Sequence, residues 1–168
     1  LRAEVPAFER AYLSETAPQI GVRETRRICG LYTLTADDVL SARKFPDGIG
    51  RTNYPIDIHS PTGEGTVIKP VPASDWYEIP YRCLVPRGMR NLLIAGRGIS
   101  ADTVAHSSLR VMPVVMNIGE AAGGAAALSL PGGDMRAVDV GALQQLIRRQ
   151  GGALEPLPFT PLPAESGA

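Results

Sequence analysis

NLLIAGRGISADTVAHSSLR, residues 91–110, is the stretch on which the fold turns. It opens with a short apolar run, and Arg90–Ala95 is expected to be a strand covered on both faces. The run ends at Gly96 and Gly98, where glycine lets backbone come close to a ligand or adopt a positive φ. A phosphate-cradling G-x-G-x-x-G would need a third glycine where Ala101 stands, with a helix opening there. Residues 99–110 are instead polar and show no apolar face of helical length. Gly-x-Gly alone therefore points only to a tight turn or a closely approached ligand.

Downstream, MPVVMNIGEAAGGAAALSL, residues 112–130, predicts a helix with Pro113 in its first turn, where a missing amide hydrogen costs nothing. Gly119, Ala122, Gly123 and Ala126 form a small-residue stripe along it. Each glycine weakens a helix interior by about 1 kcal/mol against alanine, so the repetition implies that another backbone or a flat ligand comes near. The amides of Met112, Val114 and Val115 at its start have no partner within the helix, and the end carries partial positive charge. Such an end can seat a phosphate, or a ring oxygen that gains negative charge on reduction. A last helix is capped by Asp139, carries Val140, Leu143, Leu146 and Ile147 on one face, and stops at Gly151.

Upstream, residues 3–14 have mixed helical spacing, and residues 27–34 read as a strand with a bulge or close approach at Gly30. Thr35 caps an expected helix over 36–44, with Asp37 and Asp38 in its first turn. Residues 46–65 are expected to be loop with one strand at Ile56–His59, and they offer Arg51, Asn53, Tyr54, Asp57 and His59 to a cavity. TVIKPV and WYEIPYRCLVP read as two further strands, the second an edge or bulged one because of Pro80.

Composition narrows the function. The 168 residues are 44% hydrophobic, with 18 Gly and 15 Pro in no collagen period, which describes a turn-rich globular unit. Seventeen basic residues balance seventeen acidic ones, which argues against a nucleic-acid surface. All the basic residues but Lys44 and Lys69 are arginine, whose planar fork suits anionic small molecules. Cys29 and Cys83 are isolated, so no metal knuckle or redox dithiol is expected, and free thiols in a cytoplasmic setting are. Asp102 and His106 lie four apart, but two ligands do not make a metal site. Adjacent His106 and Ser107 point apart on any regular element, and no nucleophile elbow is present, which excludes a triad hydrolase. No apolar run is long enough to span a bilayer, and no signal peptide opens the chain.

Residues 77–128, YEIPYRCLVPRGMRNLLIAGRGISADTVAHSSLRVMPVVMNIGEAAGGAAAL, resemble the C-terminal flavin-binding segment of FAD-dependent oxidoreductases, in particular fumarate-reductase-type and glucose-inhibited-division-like flavoproteins. RETRRICGLYTLTADDVL, residues 23–40, is similar to the piece that re-enters from their substrate domain. The resemblance implies an α/β (mixed α+β) chain forming the C-terminal part of a two-dinucleotide-fold flavoprotein. Residues 1–89 would be a partial, β-rich substrate or cap domain, 90–152 the FAD-binding portion, and 153–168 a Pro-rich tail. It also implies that Gly96, Arg97 and Gly98 meet the ribityl and pyrophosphate part of FAD, and that Ile99, Ser100 and Ala101 line the turn beside the ring. Met112, Val114, Val115, Met116 and Asn117 would face the ring's pyrimidine edge. Arg110 would lie near the ring and a substrate carboxylate, orienting a small anionic substrate for hydride transfer with FAD.

Relatives carry a G-x-G-x-x-G fingerprint for the ADP half of FAD, and this sequence has none. The chain, which opens on Leu1 rather than Met, is therefore expected to be the C-terminal piece of a larger enzyme, with the missing N-terminal dinucleotide-binding portion as its partner and homo-oligomers open. His59 is the leading proton-donor candidate among Tyr54, Asp57, His59 and Tyr81. The alternative is a non-catalytic binding or assembly domain that keeps the fold without the chemistry.

Overall fold

The structure, a computed structural model, describes residues 4–59, 63 and 65–155. Its elements run α1 (Ala36–Leu40), β1 (Gly48–Thr52), β2 (Ile56–His59), β3 (Thr66–Lys69), β4 (Tyr77–Pro80), α2 (Thr103–Leu109), α3 (Met112–Ser129) and α4 (Val140–Arg149). The mixed helix and strand content agrees with the expected class. Most of the Pro-rich tail, residues 156–168, lies outside the described residues.

The strands make two antiparallel ribbons. β1 pairs with β4, Gly50 opposite Ile79 and Thr52 opposite Tyr77, with an irregularity between Gly48 and Gly50. β2 pairs with β3, Ile56 opposite Lys69 and His59 opposite Thr66. α3 lies over β1 and packs against α4, while α2 lies over β2. Where α3 meets α4, a Cβ on Gly124 would stand 3.1 Å from Leu143 and Leu146, so glycine there sets a close helix approach. One buried cluster draws Leu34, Ile49, Ile56 and Ile79 together with Ile99, Leu109, Ile118 and Leu143, and so spans residues on both sides of position 90.

Several expected elements are corrected. Arg90–Ala95 is not a strand: it is half-buried or exposed, and its backbone bonds to the rest of the chain go to two separate places, from the Ile94 amide to the Leu84 carbonyl at 2.9 Å and from the Met135 amide to the Arg90 carbonyl at 2.7 Å. A strand needs a ladder of bonds to one neighbour, and these two isolated bonds do not make one. Residues 27–34 make only the isolated bridges Gly30–Pro86 and Leu34–Ala101. Gly30 is nonetheless a close approach, since a Cβ would come within 2.7 Å of Ser100 Cβ. Within residues 4–14 the helix reduces to a 3-10 turn at Pro6–Phe8. The helix capped by Thr35 forms with a full capping box from Asp38 but ends at Leu40, before Ala42 turns to φ 51. Strand β1 arises inside a stretch expected to be loop. Its glycines are poor strand formers, yet a Cβ on Gly48 would sit 2.6 Å from the Glu78 carboxylate.

Helix α2 is the largest addition to the expected fold. It buries Ala105, His106, Ser107, Ser108 and Leu109, so its inward face is half polar. The serines are satisfied internally: Ser107 Oγ donates to the Val104 carbonyl at 2.7 Å, and the Tyr77 hydroxyl lies 2.7 Å from Ser108 Oγ, which donates to the Tyr54 carbonyl at 2.6 Å. Ser108→Ala is expected to cost about 1–3 kcal/mol by orphaning the buried Tyr77 hydroxyl. Adding Tyr77→Phe should recover much of the loss, as denaturant melts of the single and double variants will show.

Candidate functional site

α2 and α3 meet at a bend of 93°. Asp102 fixes the start of α2 by accepting from the Ala105 amide at 2.7 Å, and it also takes the Ala36 amide at 2.8 Å. It is thus a cap, and among the described residues no cluster of three metal-ligating side chains exists. The corner holds Arg110, Val111, Met112 and Pro113, and these line a cleft of about 370 Å³. The opposite wall comes from Tyr54, Asp57 and His59, with Arg23, Arg97 and Ser107 completing it.

Asp57 and His59 share one face of β2 because strand side chains alternate. The Asp57 amide donates to Ser107 Oγ at 3.2 Å, which ties β2 to α2. His59 Nε2 stands 3.4 Å from Asp57 Oδ1, its Nδ1 lies 3.2 Å from Thr66 Oγ1, and the Tyr54 hydroxyl donates to Asp57 Oδ2 at 3.4 Å. Asp57 Oδ1 is buried and makes no hydrogen bond among the described residues, and the His59 ring stands beside it.

The arginines across from this group are held mainly by carbonyls. Arg97 donates to the Arg110 carbonyl at 3.2 Å and the Val22 carbonyl at 3.0 Å, which leaves its charge unneutralised. Arg110 donates to the Asp57 carbonyl at 3.3 Å and lies 3.5 Å from Glu24 Oε2. Arg23 makes no hydrogen bond or ion pair among the described residues. The lining thus carries three guanidinium groups and one carboxylate, with Glu24 beside Arg110, and this excess of positive charge makes an anion the complementary ligand.

The start of α3 borders the same cleft. No side chain caps it, and Met112 and Met116 are 72% and 71% exposed. Val114 is buried, Val115 half-buried and Asn117 exposed. Further along this outward face, Gly119 and Gly123 have no atom within 4 Å of where a Cβ would stand. The turn at Gly96–Gly98 adopts a 3-10 form, with Gly96 at φ 71 and open space beside it. The side chains of Ile99 and Ser100 lie inside the core instead of along the cleft. Ser100 spends its backbone on Cys83 and Leu34, and its hydroxyl lies 2.9 Å from Thr33 Oγ1. Gly98 is packed from below by Ile94, and its carbonyl accepts from Ile28 at 3.0 Å.

Of the expected site residues, Arg97, Arg110, Met112 and His59 line this one cleft; Arg23 and Glu24 are unexpected there, and the sequence offers Ser107 only as a member of a triad. Nothing in the local pattern VRETRR marks Arg23 or Glu24 as site residues, since the groups that tie Glu24 to the site, His106 and Arg110, lie more than seventy residues away. Tyr81, another proton-donor candidate, is elsewhere. Its hydroxyl donates to the Met135 carbonyl at 2.7 Å, and burial pushes its pKa up to about 12. It borders a second, more apolar groove of about 460 Å³. The arginines there, Arg82 and Arg136, are already paired in forked contacts with Asp47 and Asp134, so no cationic charge is left over. Cys83 is a buried free thiol whose pKa burial raises to about 12, and Cys29 is free and exposed.

An arginine-lined cleft set against an uncapped helix start and an open glycine turn is the kind of site an anionic redox cofactor and its substrate require. The family profile for FAD dependent oxidoreductase matches residues 1–147, and the chain belongs to that family. Its cofactor is therefore FAD and its class of chemistry oxidation–reduction. No curated protein and no solved structure matches the chain. The Val115 amide, expected to be free, donates to the Val111 carbonyl at 3.1 Å, so the open amides at the start of α3 are those of Met112 and Val114. The residues present fit the cofactor's ring end: space at Gly96, these two amides and unneutralised arginine charge are what a flavin's ribityl and pyrimidine portions need. Among the described residues no single helix is long and apolar enough to cross a membrane.

Proposed function

We propose that this cleft is where a small anionic substrate exchanges a hydride equivalent with FAD, in an enzyme of the fumarate-reductase-like branch of the family. The observation that carries the proposal is the convergence of Arg23, Arg97 and Arg110 beside the open start of α3. When bound, FAD supplies the two-electron acceptor or donor. The Gly96–Gly98 turn and the first amides of α3, at Met112 and Val114, would hold its ring end, with Met116 and Asn117 at its edge. In this proposal the ADP half is gripped by polypeptide carrying the dinucleotide fingerprint, which these residues lack.

The chain's own groups then divide the work. Arg110, steadied by the Asp57 carbonyl and Glu24, binds and orients the substrate anion, and Arg97 adds attraction from the side of the turn. His59 holds or delivers a proton at Nε2, where the Asp57 carboxylate faces it, and Thr66 fixes the other ring nitrogen. Met112, Val111 and Pro113 supply apolar wall that limits water. Adding malonate, a plain dicarboxylate, to FAD-loaded protein is expected to perturb the visible flavin band. Absence of any perturbation at saturating malonate would count against a substrate site next to the ring.

The open glycines give a second test. In an exposed helix interior, Gly123→Ala should stabilise this chain by about 1 kcal/mol, because nothing crowds the new methyl. If the stripe serves close approach of the cofactor-binding polypeptide, the same change should weaken FAD retention in the holoprotein, and equilibrium dialysis would show it. A stabilised variant that retains FAD as well as the wild type contradicts that role for the stripe.

A further inference from the structure

Glu24 lies outside the cleft wall, where basic groups of separate origin converge. Its Oε2 is 3.3 Å from His106 Nδ1 and 3.5 Å from Arg110 Nη1, and its Oε1 pairs with Arg27. Arg27 also donates to Thr103 Oγ1 at 2.9 Å, so the segment is strapped to both ends of α2. His106 is fully buried. Its Nε2 faces the Arg97 carbonyl at 3.0 Å. A carbonyl only accepts, so that bond claims the Nε2 proton. A neutral ring then presents a bare lone pair at Nδ1, and Nδ1 makes no hydrogen bond. It looks at a carboxylate oxygen, acceptor against acceptor. One added proton would turn that opposition into a charge-assisted N–H···O bond.

We propose that Glu24 and His106 are positioning residues for Arg110: Glu24 is shared between them, and a proton lodged between Glu24 and His106 draws the carboxylate off the arginine and leaves its charge to the cleft. This rests on Arg110 being the anion-binding group. Burial holds the His106 pKa below the ordinary imidazole value; the Arg97 carbonyl and Glu24 lift it, while Arg27 and Arg110 depress it. Near neutral pH the ring is therefore uncharged and Glu24 stays with Arg110. On acidification the pair takes up its proton, and anion affinity at Arg110 rises. The charged groups facing the pair are Arg27 and Arg110, with Arg23, Arg97, Asp57 and His59 around the adjoining cleft.

Calorimetric titration of malonate into wild-type chain and Glu24→Gln, at about pH 8 and about pH 5.5, tests this. At the higher pH the variant should bind about tenfold tighter, the scale set by removing one carboxylate from beside a guanidinium. At the lower pH the ratio should approach one. His59 is present in both proteins, so its own titration cancels from the ratio. A ratio near one at both pH values, or the same at both, overturns the proposal. Should Glu24→Gln fail to fold, imidazole NMR of the unmutated chain decides, because only two histidines need be resolved. Saturating malonate must raise the pH midpoint of His106 by reciprocal linkage, and an unmoved midpoint overturns the proposal. If instead Arg110→Ala binds malonate as tightly as wild type, the assignment of Arg110 fails, whatever Glu24→Gln shows.

Discussion

Arg110→Ala is expected to weaken malonate binding about 100-fold near neutral pH, close to 3 kcal/mol. The side chain is only 17% exposed, and the Asp57 carbonyl and Glu24 hold its guanidinium in place before any ligand arrives. Little further ordering is needed on binding, so a substantial charge-assisted hydrogen-bond energy remains as affinity even with Glu24 sharing the guanidinium at this pH. Arg97 and Arg23 would still attract an anion, which accounts for a residual weak site. Arg110→Lys should recover only part of the loss, since an ammonium keeps the charge but not the planar fork. Isothermal titration of the three proteins measures this, with unchanged thermal unfolding as the control. A loss below about threefold in Arg110→Ala would place the anion elsewhere.

Ile118→Ala is expected to cost about 3 kcal/mol, which for a chain of this size corresponds to a fall in Tm on the order of 6–12 °C. Val114, Ile118, Ala121 and Ala125 form the buried stripe of α3, and Ile118 is 1% exposed. It is the largest member, and β1 beneath it carries Gly48 and Gly50. The alanines and glycines of α3 and β1 cannot fill the space left, so a cavity penalty adds to the lost burial. The outward stripe of the same helix, Met112, Met116, Gly119 and Gly123, should tolerate change in this chain. Chemical denaturation separates the two faces, and an equal cost for Gly123→Ala would contradict this division.

The two long C-terminal helices were legible because their signals are local. Pro113 in a first turn, Asp139 as a cap and Gly151 at φ 90 announce their limits without reference to anything distant. α2 was not legible because its buried face carries His106, Ser107 and Ser108, whose hydrogen bonds reach Arg97, Val104 and Tyr54. Hydropathy marks such residues as exposed, and only tertiary partners make them core. Arg90–Ala95 failed in the opposite way: its apolar run promises a covered strand, but strand formation depends on a neighbour that the sequence pattern does not report. For the site, the glycine turn and helix start pointed to Arg97, Arg110 and Met112, because these flank local features. Arg23, Glu24 and Ser107 join the cleft or its support through contacts across the chain, and local spacing carries no trace of them.

Riboflavin carries the flavin ring and ribityl chain without the ADP half, and it provides the most direct measurement of whether the α2–α3 corner seats a redox ring. Backbone amide NMR of this chain, recorded while riboflavin is added, is predicted to show shifts concentrated at Gly96–Gly98, Arg110 and Met112–Asn117, with the Tyr81–Val85 groove unmoved. Shifts confined to that groove, or none at the start of α3 at saturating riboflavin, would contradict the account.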